Sequence, residues 1–280
     1  MVDCHMHMVL DGVWWKDAMA RHQAAPHEDF IRRTLETYRQ KGFTWLRDGG
    51  DRLGAGKRAR ELSPEYGITY RTPLSPLCKR GHYGAFIGTV FENTGDYTEL
   101  VKRQKAEGAD FIKIMISGLM DFDRYGVLTE EGLGQEEIRI LVDIPHQMGL
   151  SVMVHSNGIT ALYAAQAQVD SVEHGAYLPQ EALHAMQENG TVWVPTLSTV
   201  GNLRGKGRFR EEAVQAIYAD TAEKIRLFAQ MGGLLASGTD GGAWAVPHGT
   251  DSEYRILEQI LGEGFEAVLA PGTKRIMEKF

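Results

Sequence analysis

The chain has 280 residues, of which 43% are hydrophobic and 24% charged, a globular composition that excludes a predominantly disordered or fibrous protein. Its 30 basic and 37 acidic residues leave a formal net charge of −7 with no basic run, which argues against a nucleic-acid partner. No apolar stretch approaches the roughly 20 residues of a membrane span, and the two cysteines, Cys4 and Cys78, are too few for a disulfide framework and imply a reducing, cytoplasmic setting.

The chain opens on Met1-Val2-Asp3-Cys4-His5-Met6-His7, which puts an acid and histidines where a signal peptide would carry positive charge, so no secretion signal is expected. Hydrophobic periodicity then alternates between two types. Strands are predicted at 2–7, 43–48, 68–72, 110–116, 151–155, 171–174, 191–195 and 233–240. Helical patterns lie between and after them, at 28–40, 54–66, 97–107, 135–148, 159–168, 180–188, 210–231 and 252–262, with a last helix over 265–280. Gly42, Gly67, Gly108, Gly149, Gly190 and Gly232 each close a helical pattern just before a strand, the place of a left-handed C-terminal cap. Eight βα units joined by short αβ turns predict an α/β protein folded as a (β/α)8 TIM barrel, a single domain over 1–280. An open doubly wound sheet is the alternative, although it usually has fewer strands. The segments 74–95, 117–134 and 198–210 are long βα loops, placed where a barrel binds its ligands.

The strand ends carry the chemistry. Residues i and i+2 of a strand share a face, so His5 and His7, about 7 Å apart along the strand, point together into the barrel, with Cys4 and Met6 facing the helices. Two imidazoles so placed can grip one cation. Lys113, in Phe111-Ile112-Lys113-Ile114-Met115-Ile116, faces inward from an apolar strand, where a free ammonium is costly unless paired or neutralised. His155, His174 and Asp240 end three further predicted strands, and in a barrel all these ends meet at one rim. Asp48, on the same rim, reads as a structural acid or one that orients a ligand, whereas Glu173 should face away from His174 and act structurally.

This constellation resembles the amidohydrolase superfamily of metal-dependent hydrolases, within it the prolidase and imidazolonepropionase-like branch. The similarity rests on Val2-Asp3-Cys4-His5-Met6-His7, Asp110-Phe111-Ile112-Lys113-Ile114-Met115, Val154-His155-Ser156-Asn157-Gly158, Ser171-Val172-Glu173-His174-Gly175 and Ser237-Gly238-Thr239-Asp240. The resemblance implies two divalent ions, most simply zinc, with manganese, cobalt or iron open by ligand type. His5, His7 and Asp240 would hold the first, His155 and His174 the second, and Lys113, carboxylated by carbon dioxide, would bridge them. It also implies attack by a metal-bridging hydroxide on an amide-type C–N bond of a dipeptide, N-acyl amino acid or cyclic amide, with Asp240 as general acid and base. A lactonase, esterase or phosphotriesterase on the same centre is the alternative, and a non-catalytic metal-binding barrel another. The loop Lys79-Arg80-Gly81-His82-Tyr83-Gly84 resembles the Gly-His loop of this branch and nominates His82 and Tyr83 for substrate contact. Arg124 and Tyr125 could clamp a carboxylate, and His248 could reach a small-molecule substrate. The family's usual accessory β-sandwich is not expected here, and its absence would leave apolar barrel surface open to homo-oligomerisation.

Overall fold

The computed structural model describes all 280 residues. Nine short strands form, every ladder between them parallel: β1 (Val2–Met6), β2 (Trp45–Asp48), β3 (Thr69–Arg71), β4 (Leu77–Lys79), β5 (Thr89–Phe91), β6 (Ile112–Met115), β7 (Val152–Ser156), β8 (Ser171–His174) and β9 (Val192–Val194). They make two sheets, in the orders β1-β2-β3 and β5-β4-β6-β7-β8-β9. Buried on both faces, β6 to β9 are runs of Val, Ile, Met and Trp broken by a few buried polar residues, as parallel strands under helices require. Ile112, Ile114, Val152, Val154, Val172 and Trp193 pack outward with the helices, in one continuous core cluster. No helix is long and apolar enough to cross a membrane.

The helices fall where the periodicity puts them. Glu28–Gln40 buries Ile31, Thr34, Leu35 and Tyr38, one stripe at helical spacing, and its N-terminus is capped by the His27 ring accepting from the Phe30 amide. All six predicted cap glycines have positive φ, between 67° and 82°, which an L side chain would resist. Two helices escaped the pattern, Trp15–Arg21 and the single turn Ser198–Gly201, both inserted after strands on the long-loop side.

Three differences from the expected strands matter. The long 74–95 loop contains β4 and β5, and β4 pairs with β6. The expected strand at 233–240 is not a regular strand: it touches β9 through the bridge Trp193–Leu235 and β1 through Met6–Gly241. It is extended and bonded on both sides, Ala236 N donating to Trp193 O and Cys4 N to Ser237 O. Regular pairing is interrupted because Gly238 lies against the β1 backbone, where a Cβ would come within 2.7 Å of the His5 Cβ, and because Asp240 takes φ +57°. Finally, β1 shifts register between Asp3 and Met6, so Cys4 does not face the helices but joins Phe111, Met153, Val194 and Phe280 in a separate cluster.

Candidate metal centre

Six of the nominated side chains converge at the C-terminal ends of the strands. Hydrogen-bonded pairing runs Lys113 beside Met153, Met115 beside His155 and Ser156 beside His174, so β6, β7 and β8 present Lys113, His155 and His174 to one space. The segment 236–241, bonded to β1, brings Asp240 to the same place, its amide donating to His5 O at 2.7 Å. His174 and Asp240 leave their strands at φ +69° and +57°, a left-handed turn that costs a non-glycine residue of the order of 1–3 kcal/mol and that aims both side chains at the centre.

The innermost donors form a triangle. His5 Nε2 lies 3.3 Å from His7 Nε2, and Asp240 Oδ1 lies 3.7 Å from the first and 3.4 Å from the second. Ligands about 2.0–2.1 Å from a tetrahedral ion are separated by about 3.4 Å, so the triangle has the dimensions of three ligands around one cation. The two ring nitrogens, 3.3 Å apart, can share a proton in a hydrogen bond or turn both lone pairs to one cation. Asp240 Oδ1 and His7 Nδ1 are buried without a hydrogen-bond partner, donor atoms left over by the fold. His174 Nδ1 stands 3.9 Å from Asp240 Oδ2, and the His155 and His174 rings are 4.6 Å apart, which places a second pair of imidazoles beside the triangle. The donor set therefore fits divalent metal ions.

Burial sets the protonation of these groups. It holds His5, His7 and His174 well below the usual imidazole range and His155 at about 3, with neighbouring positive charge adding to the effect. The rings are thus neutral, the form that ligates a metal. Burial raises the Asp240 carboxyl to about 7. It lowers the Lys113 ammonium to about 8, and the Nζ finds only His5 Nε2, at 3.3 Å, with no carboxylate in salt-bridge contact.

Below the triangle lies a device that sequence reasoning missed. Glu173 does turn away from His174, but in doing so it points at His5: its Oε2 accepts from His5 Nδ1 at 2.6 Å. Its Oε1 accepts from Arg47 Nη2 at 2.8 Å and from the Ser171 hydroxyl at 2.6 Å. Arg47 also donates to Cys4 O and lies 4.4 Å from the Phe280 ring. Arg47, Glu173 and His5 are fully buried. The carboxylate fixes the His5 tautomer, with Nδ1 protonated and Nε2 free toward the triangle. The alternation of Leu46-Arg47-Asp48 and Val172-Glu173-His174 was the available signal: a charged residue at an inward position one step below a candidate ligand. Gly49 was also missed, although a Cβ there would fall 2.1 Å from His7 Cε1 and 2.7 Å from Lys113 Nζ. Asp48 is structural, accepting from the Met8 amide and the Thr72 hydroxyl.

The cluster floors a cavity of about 360 Å³ lined by His7, Lys113, His155, His174 and Asp240 below and by apolar side chains above. Of the nominated substrate contacts only Tyr83 lines it, its ring 4.8 Å from that of His155. The other four lie elsewhere. His82 precedes Tyr83 in the turn and stays off the cavity wall. Arg124 is exposed and bound to Asp121 within its own turn, and Tyr125 is half exposed, edge-on to Tyr177. His248 is taken up by the fold, its ring nitrogens bonded to Leu10 O and to the Tyr38 hydroxyl. Of the two tryptophans after β1, Trp15 lines the cavity, and the loops add Phe86, Phe122 and Trp244.

No protein-family model matches the chain. Among curated proteins it is similar to ochratoxinase of Aspergillus niger, 23% identical over 278 residues, an alignment that covers 85% of this chain and 56% of the ochratoxinase. The chain thus spans just over half the length of that relative. Among solved structures it is similar to a Xaa-Pro dipeptidase with bound methionine in the active site (TM-score 0.78, 20% identity, 100% of this chain and 75% of that one). It is also similar to the structure of A. niger ochratoxinase (TM-score 0.77, 19% identity, 96% and 68%) and to that of an amidohydrolase (TM-score 0.72, 22% identity, 98% and 74%). These structural neighbours agree with the resemblance read from the sequence, that of the amidohydrolase superfamily and its prolidase-like branch, and at these identities they establish the shared fold.

Proposed function

We propose that the chain is a metal-dependent hydrolase of an amide-type C–N bond in a small molecule, built as one (β/α)8 barrel. In this reading the segment 236–241 is the eighth strand, and the bonds Asp110 N to Thr72 O and Cys4 N to Ser237 O bring the two sheets together into one ring. The observation that carries the reading is the triangle of His5 Nε2, His7 Nε2 and Asp240 Oδ1, with edges of 3.3–3.7 Å and with Asp240 Oδ1 buried without a hydrogen-bond partner, at the floor of a cavity. Similarity to an ochratoxinase and to a Xaa-Pro dipeptidase supports an enzyme acting on amide bonds.

His5, His7 and Asp240 would hold one ion and His155 and His174 a second. Such ions, when bound, lower the pKa of water and polarise a carbonyl. Lys113 lies beside the first group, its Nζ 3.3 Å from His5 Nε2. With its pKa drawn to about 8 by burial and no salt-bridge partner, a sizeable fraction is the neutral amine at mildly alkaline pH. That amine can add carbon dioxide, forming an N–C bond and releasing a proton, and the resulting carbamate replaces a buried cation with an anion of two oxygens. Asp240 is the proton carrier: its carboxylate takes a proton from the attacking water and returns it to the leaving nitrogen. Glu173 and Arg47 keep His5 in one tautomer, and Tyr83 closes one side of the cavity above His155.

The test is elemental analysis of the purified protein followed by a screen of dipeptides, N-acyl amino acids and simple carboxamides after zinc loading, read by amine release. The expected result is metal retained by the native chain and turnover that disappears on chelation. A protein that holds no metal under stoichiometric zinc, or that hydrolyses esters, lactones or phosphotriesters while leaving every amide intact, overturns the proposal.

A further inference from the structure

Above the cluster, the cavity wall has a consistent chemistry. Trp15, Phe86, Tyr83, Leu119, Phe122 and Trp244 come from four different loops and face one space. The rings brace one another: Trp15 meets Phe86 edge-on at 5.2 Å, and Phe86 meets Tyr83 at 5.7 Å. On the other side Phe209 bridges Phe122, at 5.0 Å, to Trp244, at 5.8 Å. The wall is therefore held in place by ring contacts rather than left to collapse on an absent ligand. The one basic group that lines the cavity is Lys113, and its Nζ belongs to the cluster, 3.3 Å from His5. Arg208, which does not line the cavity, is exposed and lies over the Trp244 ring at 3.7 Å. A carboxylate placed against this wall would give up its hydration and receive no charged partner in return.

Resting on the hydrolase reading above, we propose that the substrate is an uncharged amide bearing an aromatic or bulky apolar group that stacks on this wall, and that free dipeptides and other substrates with a carboxylate beside the scissile bond are discriminated against. The cavity, at about 360 Å³, lies at the small end of pockets that enclose drug-sized ligands, large enough for one ring system with the amide above the cluster. Phe122 and Trp244 act as specificity-determining residues, since they touch the apolar group and not the reacting atoms.

The test uses a matched pair with one ring each, N-acetyl-phenylalaninamide and N-acetyl-phenylalanine, which differ by the charge at one carboxyl. Binding is measured by quenching of tryptophan fluorescence, with Trp15 and Trp244 as reporters, and hydrolysis is measured separately by amine release. The neutral amide should bind at least about tenfold more tightly than the acid, roughly one step of affinity per 1.4 kcal/mol. Phe122→Ala and Trp244→Ala should each lose at least about fivefold of that affinity, with the circular dichroism spectrum unchanged. An acid that binds as tightly as the amide, through Arg208 or otherwise, overturns the inference, as does failure of the neutral amide to bind. Selective binding of the neutral amide without its hydrolysis supports this inference and overturns the hydrolase proposal instead.

Discussion

Glu173 is where the fold and the candidate chemistry depend on one another, and replacing it with glutamine separates the two. In the native chain its carboxylate accepts at 2.6 Å from His5 Nδ1, at 2.8 Å from Arg47 and at 2.6 Å from Ser171, all without solvent. Glutamine keeps the volume but has one acceptor oxygen and no charge. Arg47 is left as a buried cation without a counter-charge, a loss of about 3–5 kcal/mol for a buried pair with one partner removed. The single glutamine oxygen cannot serve both Arg47 and His5, so His5 loses its carboxylate partner, and outer partners of this kind are worth about 10- to 100-fold in metal affinity. Two measurements divide these effects: urea unfolding of the chelated protein reads the first, and competitive zinc titration reads the second. Adding Arg47→Met in the same chain removes the stranded charge, so the double variant should recover most of the stability. What remains is the Cys4 carbonyl, which loses the Arg47 Nε donor and costs about 1–3 kcal/mol. Zinc affinity should stay low in the double variant, because His5 is still without its carboxylate. A Glu173→Gln protein within about 1 kcal/mol of the parent and within threefold of its zinc affinity would refute the reasoning on both counts.

Four further outcomes follow from the same geometry. Asp240→Asn should lower amide turnover by at least about three orders of magnitude while the protein still binds metal, since an amide oxygen can ligate but cannot carry the proton; kcat and elemental analysis on one preparation check this. Gly49→Ala should lower zinc affinity by about 100-fold or more with the helical circular dichroism intact, because the new methyl would sit 2.1 Å from His7 Cε1, and competitive titration reads it. Growth or dialysis in ¹³C-bicarbonate should give one carbamate carbon signal, absent from Lys113→Arg, whose side chain stays protonated. Stability should also carry an acid limb from His248. Burial lowers its pKa to about 4 from the ordinary 6.5, so between pH 6.5 and 4 the unfolded chain binds the extra proton and stability falls as pH falls. The full effect is about 3 kcal/mol, read as the difference in urea midpoint between the parent and His248→Asn across that window.

The parts of the site that were legible in the sequence share one property: each is a residue whose type is wrong for its local pattern. His5 and His7 interrupt an apolar strand with matched parity, Lys113 does so inside Phe111-Ile112-Lys113-Ile114-Met115-Ile116, and six glycines sit at the one helix-end position where φ must be positive. Local periodicity is enough to find such residues, and the convergence of strand ends brings them together. What was not legible depends on long-range register. That Glu173 meets His5 requires β8 and β1 to be related across the interior, 168 residues apart in sequence, and the partner of a charged side chain is not written beside it. The same holds for Cys4, where a one-residue irregularity in β1 overrides alternation, and for the cavity wall, whose rings come from loops with no period to read. The loop residues nominated by chemical type show the same limit: Arg124 and His248 have suitable functional groups, but their partners in the structure are Asp121 and Leu10 O. A polar residue in a loop is therefore informative only once its near neighbours are shown not to satisfy it, whereas a polar residue inside a strand has few local partners and must find one across the fold. By that criterion Arg47 was as conspicuous as Lys113, a guanidinium at an inward position of a four-residue buried strand, and it led to the carboxylate that holds His5.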